Sequence, residues 1–235
     1  MNLRNENKSK LVKKVFNTVY GKYDLMNDIM SFGTHRMWKK NLVSWMNPKK
    51  NNKIIDVASG TGDIAKLCSE NTNNSCAIFC VEPNEKMLQQ GKNKLRNFSN
   101  IKWNNSSAEN LPFEDETFDY YTISFGIRNV TNFNKSLNEA YRVLKNGGRF
   151  FCLEFSKVEN EILQIIYQNY SKLIPSVGKF IAGDDMPYKY LIQSIEKFYN
   201  QEDFSNKILN SGFINVEYRN LTNGIAAIHS GWKIE

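Results

Sequence analysis

Apolar positions in the first fifty residues recur at helical spacing, with Val15, Phe16, Val19 and Tyr20 on one predicted face. The stretch Tyr23-Asp24-Leu25-Met26-Asn27-Asp28 follows, and Gly33 offers a stop. From Lys53 the pattern changes to short β-branched and aromatic runs. Lys53–Val57, Ala77–Val81, Ile101–Asn105, Phe118–Phe125 and Arg149–Phe155 read as strands, the last preceded by a turn at Asn146-Gly147-Gly148. Helical stretches near Asp63–Glu70, Asn84–Phe98 and Asn134–Leu144 lie between them. Strands alternating with helices imply a parallel sheet built from right-handed crossovers. After Ser156 the rhythm breaks into helical patterns rich in aromatics, including Tyr167, Tyr170, Phe180, Tyr188, Tyr190, Phe198 and Tyr199. Phe213–Arg219, a turn at Thr222-Asn223-Gly224, and Ile225–Ile234 then read as a β-hairpin. The expected organisation is a single domain. It has a helical cap over 1–50, a core over 51–156, a helical insertion over 157–211 and a terminal hairpin over 212–235.

The chemistry concentrates at the end of the first strand. Ile54-Ile55 runs into Asp56-Val57-Ala58-Ser59-Gly60-Thr61-Gly62-Asp63, a strand ending beside an acid and opening into a Gly-x-Gly turn. Such glycines permit a sharp strand-to-helix turn and close approach of the backbone to a nucleotide-like ligand. The loop is unspecific, because Gly60-Thr61-Gly62-Asp63-Ile64-Ala65 also fits the dinucleotide fingerprint. The other strand ends narrow the choice. Glu82 closes the second strand about 20 residues past the glycines, where a carboxylate accepts both ribose hydroxyls; the competing reading is a solvated strand-end acid. Asp56 suits a ligand bearing an ammonium better than one bearing a pyrophosphate, which it would repel; otherwise it caps the turn. That favours S-adenosylmethionine over NAD. With the antiparallel finish, the fold class expected is α/β, a Rossmann-like class I methyltransferase sheet with helices on both faces.

Composition sets outer limits. At 235 residues, 41% hydrophobic and 13% aromatic, the chain can bury a core as one domain. The net charge of +7 admits a nucleic-acid or anionic-membrane partner. The lysine pairs Lys13-Lys14, Lys39-Lys40 and Lys49-Lys50 are dispersed rather than clustered, which argues against nucleic acid. Cys68, Cys76, Cys80 and Cys152 lack C-x-x-C spacing, and His35 and His229 are the only histidines, so no metal site is expected. The segment Met1 to Lys14 resembles neither a signal nor a transit peptide, and no apolar run approaches the ~20 residues of a transmembrane helix. A cytoplasmic enzyme is expected, peripheral to the inner face of the membrane if its substrate lives there.

Longer blocks carry a resemblance. Val15-Phe16, then Tyr23-Asp24-Leu25-Met26-Asn27-Asp28-Ile29-Met30-Ser31-Phe32-Gly33-Thr34-His35-Arg36-Met37-Trp38-Lys39, are similar to the N-terminal signature of the ubiquinone/menaquinone biosynthesis C-methyltransferase family. Ala108-Glu109-Asn110-Leu111-Pro112-Phe113, Thr122 through Thr131, Tyr141 through Arg149, and Leu153-Glu154-Phe155-Ser156 continue it. It runs on through Tyr190-Leu191, Asn220-Leu221-Thr222 and Ala227-Ile228-His229-Ser230-Gly231. The resemblance implies S-adenosylmethionine-dependent methylation of a ring carbon on a polyprenylated benzoquinol or naphthoquinol. By position, the family's cofactor contacts fall on Thr61, Glu82, Ser107, Ala108 and Ser124, beside Asp56 and Gly60 of the loop. Three departures accompany it: Ser59 where glycine is usual, Ser107 where Asp or Asn is common, and Glu82 for Asp. Altered cofactor affinity is the expected consequence.

Methylating a ring carbon requires the nucleophile held close and in line, with an adjacent hydroxyl ionised or bonded to a base. Arg128 is the candidate to stabilise the phenolate or to position a water that removes its proton; its competing role is a structural ion pair. Asn129 and Tyr23 are the candidates to hold the quinol oxygens. His229 reads as a satisfied structural histidine, and His35, Arg36 and Trp38 as fixing the N-terminal helices. The aromatic insertion reads both as a cover for the sheet and as a lining for an isoprenoid tail. Expected partners are a lipophilic quinol, an anionic membrane surface, and a quinone-biosynthesis complex or second copy. An NAD oxidoreductase, an RNA methyltransferase and a non-catalytic scaffold are the alternatives.

Overall fold

Runs that alternate inward-facing apolar residues between two sides become the central strands, because each side of the sheet has helices to bury. In the computed structural model, residues 3–19, 21, 23–31, 33–158 and 186–234 are described. The strands are β1 (Lys53–Val57), β2 (Ala77–Val81), β3 (Ile101–Asn104), β4 (Phe118–Ser124), β5 (Leu144–Phe155), β6 (Ile214–Leu221) and β7 (Ala226–Trp232). They form one sheet in the order β3-β2-β1-β4-β5-β7-β6. Every neighbouring pair from β3 to β5 is parallel, and β7 pairs antiparallel with both β5 and β6. The expected mixed sheet with an antiparallel finish is therefore what forms.

The helices among the described residues are α1 (Leu3–Val19), α2 (Tyr23–Ser31), α3 (His35–Met46), α4 (Asp63–Asn71), α5 (Glu85–Lys94), α6 (Phe133–Val143), α7 (Met186–Glu196) and α8 (Gln201–Leu209). Adjacent strand residues feed opposite cores. Ile54, Phe151 and Leu153 pack with Trp38 and Leu42 of α3, Ile64 and Cys68 of α4, and Leu191 of α7. Ile55, Phe150 and Cys152 pack with Leu137 and Ala140 of α6 and Phe204 and Ile208 of α8. Asparagine, abundant in this chain, begins three of these helices in the same way. The side chains of Asn84, Asn132 and Asn200 accept from the N–H of Met87, Lys135 and Asp203 at 3.2, 3.0 and 2.8 Å, each such cap contributing about 1 kcal/mol.

Two boundaries differ from expectation by more than about two residues. The turn predicted at Asn146-Gly147-Gly148 is a bulge inside β5, where the register with β4 jumps from Phe118 opposite Leu144 to Tyr120 opposite Arg149. It stays in the sheet because the chain just past β7 pairs with it: Gly147 N–H donates to Lys233 O, and Lys233 N–H to Gly148 O. Helix α5 stops at Lys94 rather than Phe98, since Leu95 and Phe98 turn back onto the core. Tyr167, Tyr170 and Phe180 of the expected insertion lie outside the described residues. Among the described residues no helix is long and apolar enough to cross a membrane, and no cluster of three or more His, Cys, Asp or Glu could hold a metal.

Candidate active site at the β1–β4 crevice

Strand order reverses between β1 and β4, and in open α/β sheets a ligand crevice forms where strands on either side lead away from each other. Both strands leave the sheet through a non-glycine residue in the left-handed region, Ala58 at φ 50° and Phe125 at φ 56°. Such conformations cost on the order of 1–3 kcal/mol each and persist where packing over-determines them. Here packing does so, because the two exits touch. A Cβ at Gly126 would stand 2.6 Å from that of Ala58, so only glycine fits after Phe125. Ser59, which stands where the family usually has glycine, is not among the positive-φ residues; the left-handed positions are Ala58, Gly60 and Gly62. The serine therefore carries no backbone strain.

Asp56 is 1% exposed. One carboxylate oxygen accepts from Thr122 Oγ1 at 2.9 Å, and the other is buried with no partner. Burial, only partly opposed by Thr122 and the charge of Lys39, pushes its pKa up to about 7. It lines a small cavity of about 20 Å³ with Lys39, Ser59, Thr61, Asp63 and Ser124. Ser124 Oγ is likewise buried without a partner. Asp63 would be raised by burial, but Lys39 and Lys94, at 2.6 Å on its two oxygens, hold it well below the usual carboxylate range. Lys94 also donates to Thr61 Oγ1 at 3.2 Å.

Across the glycine loop lies a cavity of about 420 Å³, within the range of small-ligand pockets. Gly60, Glu82, Ser107, Ala108 and Asn129 line it, and Val12 and Phe16 of α1 close one side. Glu82 accepts from Gly60 N–H and Asn84 N–H, each at 2.8 Å, so the β2 acid holds the loop's shape. Burial pushes its pKa up to about 7 as well. Seven predicted cofactor residues, Asp56, Gly60, Thr61, Glu82, Ser107, Ala108 and Ser124, thus line two cavities that share Ala58, Gly60 and Phe125.

The predicted catalytic residues sit at the β4 exit. The Arg128 guanidinium is 2% exposed and ion-paired through Nη1 with Glu154 of β5. It also donates to Phe125 O at 2.8 Å and Ser194 Oγ at 3.4 Å, with its Cζ 5.5 Å from the Phe155 ring centroid. Asn129 reaches the larger cavity, and its Oδ1 accepts from Tyr190 OH at 3.0 Å. Tyr23 opens α2, its side chain outside the described residues. His229 is 2% exposed, its Nε2 lies 3.0 Å from Gln201 O, and burial lowers its pKa to about 4. His35 is buried against Asp28, and Trp38 donates to Thr222 Oγ1 at 2.9 Å, tying α3 to the hairpin turn.

Sequence reasoning passed over Lys39, Glu154 and Tyr190. For two of them a signal existed. Glu154 is a carboxylate inside the otherwise apolar run Phe150–Phe155, and Lys39 shares a helical stripe with Trp38, Leu42 and Met46.

The model of the ubiE/COQ5 methyltransferase family matches residues 2–233. The chain belongs to that family. The ubiquinone/menaquinone biosynthesis C-methyltransferase of Rickettsia bellii is 50% identical over 234 residues, covering 97% of this chain and 94% of the relative. Its Rickettsia prowazekii counterpart is 51% identical over 231 residues, with 95% and 93% covered. Among solved structures, a SAM-dependent methyltransferase from Thermotoga maritima superposes with a TM-score of 0.68 at 19% identity, covering 94% of this chain and 99% of that one. At that identity the likeness speaks for the fold alone. For a ubiE/COQ5 family member, the half-satisfied Asp56 and the acid at the β2 end fit an adenosyl ligand carrying an ammonium. They do not fit a dinucleotide, whose pyrophosphate Asp56 would repel.

Proposed function

We propose that this chain is an S-adenosylmethionine-dependent C-methyltransferase that methylates the ring of a polyprenylated benzoquinol or naphthoquinol in ubiquinone or menaquinone biosynthesis. Family membership across residues 2–233 carries this reading. The bound cofactor supplies an electrophilic methyl group on a sulfonium. Asp56 accepts from its ammonium through the carboxylate oxygen that has no partner. Glu82 accepts the ribose hydroxyls, and Ser107 and Ala108 border the adenine in the larger cavity. Thr61 and Ser124 add hydroxyls beside the loop.

At the β4 exit, Arg128 stabilises the phenolate that makes the ring carbon nucleophilic, with Glu154 fixing the guanidinium. Asn129, oriented by Tyr190, holds a quinol oxygen together with Tyr23. We place the encounter with this lipophilic substrate at an anionic membrane surface, because the first three helices expose Leu11, Leu25 and Met37 and carry exposed Lys10, Lys13, Lys14 and Lys40. Cosedimentation with anionic but not neutral vesicles tests that placement.

The reaction is tested by offering labelled S-adenosylmethionine with reduced demethylated benzoquinol and naphthoquinol analogues in parallel. Ring-methylated product is expected, and the ratio of the two products names the substrate. Measurable cofactor binding with no product from either analogue would overturn the reading.

A further inference from the structure

Lys39 is a lysine where lysines are rare. It sits on the apolar stripe of α3 between Trp38 and Leu42, and it is 6% exposed. It lines the same small cavity as Asp56. An ammonium has three donors, and among the described residues Nζ spends one, on Asp63 Oδ2 at 2.6 Å. Asp63 does not need it, since Lys94 holds the other oxygen at 2.6 Å. Two ammonium groups share the Asp63 carboxylate beside the cavity, and Lys39 makes no hydrogen bond to Asp56, the other carboxyl there that its charge acts on. Across that cavity, Asp56 presents a buried oxygen with no partner. A cation with spare donors and a carboxylate with a spare acceptor, facing one polar space, complement a group bearing both charges on one carbon.

We propose that Lys39 binds the carboxylate of the cofactor's amino-acid arm, in partnership with Asp56 at its ammonium. This rests on the cofactor assignment made above. When Lys39 turns toward the ligand, Asp63 keeps Lys94, so the exchange strands no charge. The nucleoside is left to Glu82, Ser107 and Ala108 across the Gly60 loop. Lys39 is a binding and positioning residue in this scheme; it fixes the arm so that the sulfonium end is held in register with the β4 exit.

The test separates the two charges of the arm by calorimetric binding of S-adenosylmethionine and of decarboxylated S-adenosylmethionine, which keeps the ammonium and lacks the carboxylate. Wild-type protein is expected to bind the decarboxylated compound about 10- to 100-fold more weakly, the worth of a charge-assisted hydrogen bond. Lys39→Met is expected to lose a similar factor for S-adenosylmethionine and less than about 2-fold for the decarboxylated compound. Equal losses for both ligands would make Lys39 a structural partner of Asp63 and overturn the inference. So would equal affinity of the two ligands for the wild type, a comparison that needs no variant to fold. No binding of S-adenosylmethionine by the wild type would overturn the cofactor assignment itself, and this inference with it.

Discussion

Asp56 at the proposed cofactor end of the crevice and Glu154 at the proposed substrate end are both 1% exposed carboxylates, yet the fold supports them differently. Glu154 has its cation in place: Arg128 pairs with it, and Phe155 N–H donates to the same oxygen at 2.9 Å. Asp56 has a hydroxyl, Thr122, and no cation bonded to it among the described residues. Burial raises both carboxyls, and at Glu154 the charge of Arg128 is what opposes the rise most. Each keeps one carboxylate oxygen buried without a partner, Asp56 Oδ2 and Glu154 Oε2, so what separates them is the cation, which Glu154 has in place and Asp56 lacks. A group that acts by a fixed field is paired in advance. In the proposed scheme a group that recognises a cation is buried without one, at a cost in stability.

The largest effect should come from breaking the finished pair. Glu154→Gln leaves the Arg128 guanidinium buried without its counter-ion, and removing one partner of a buried pair costs about 3–5 kcal/mol. Denaturant unfolding reads that loss directly. Replacing both residues by methionine should recover most of the stability, because two buried charges then leave together. Turnover should stay lost in the double variant while cofactor affinity stays near wild type. Recovery of turnover along with stability would remove Arg128 from the chemistry and leave it the structural role.

Asp56 should behave in the opposite sense. Folding raises its pKa from 3.8 to about 7, so the folded state holds this proton more tightly than the unfolded chain does. Its contribution to stability is full below about pH 4 and is lost as pH rises through about 7. Groups not coupled to Asp56, such as His229, cancel in the difference between wild type and Asp56→Asn, whereas Glu82, whose charge acts on Asp56, shares part of it. That difference should move in favour of the variant between pH 4 and 8, by on the order of 3 kcal/mol. A pH-independent difference would mean that Asp56 is already paired in the free protein.

The same substitution should weaken S-adenosylmethionine binding about 10- to 100-fold at pH 8, the worth of about 1.5–3 kcal/mol in a charge-assisted hydrogen bond. Wild-type affinity should itself rise with pH toward 7, since the ammonium favours the ionised carboxylate. One variant thus gains stability and loses ligand, a combination Glu154→Gln cannot give. A loss of both from Asp56→Asn would erase the distinction between the two ends.

Legibility in the sequence followed the same division. The placement of Asp56, Gly60 and Glu82 at the crevice could be read because they come from strand ends fixed by local pattern: Asp56 and Glu82 each follow an apolar run, and Gly60 marks the turn. The substrate end was readable only for Arg128 and Asn129, which sit in a single block. Their partners Glu154 and Tyr190 come from β5 and α7, and a pairing 26 or 61 residues away in sequence has no local signature. The parallel strands could be read from alternation, whereas the β5 bulge could not, since it depends on Lys233 arriving from beyond β7. A serine where glycine is usual implies a backbone that does not need positive φ, and Ser59 indeed has none, but that the left-handed turn falls on Ala58 had no local signature.

That last point gives the smallest predicted effect. Ser59 has ordinary backbone geometry, and its hydroxyl lies 3.5 Å from Val81 O and bonds to the buried Cys80 thiol. Ser59→Gly should therefore gain nothing from added freedom and should lose less than about 1 kcal/mol through the entropy of the unfolded chain. Cofactor affinity should stay within about 2-fold of wild type. Ala58→Gly, one residue earlier, should instead be neutral or stabilising, because it relieves a left-handed alanine. Parallel unfolding and binding measurements on the two variants would localise the loop's stored strain to the residue that touches Gly126. A stability gain from Ser59→Gly would move that strain to Ser59.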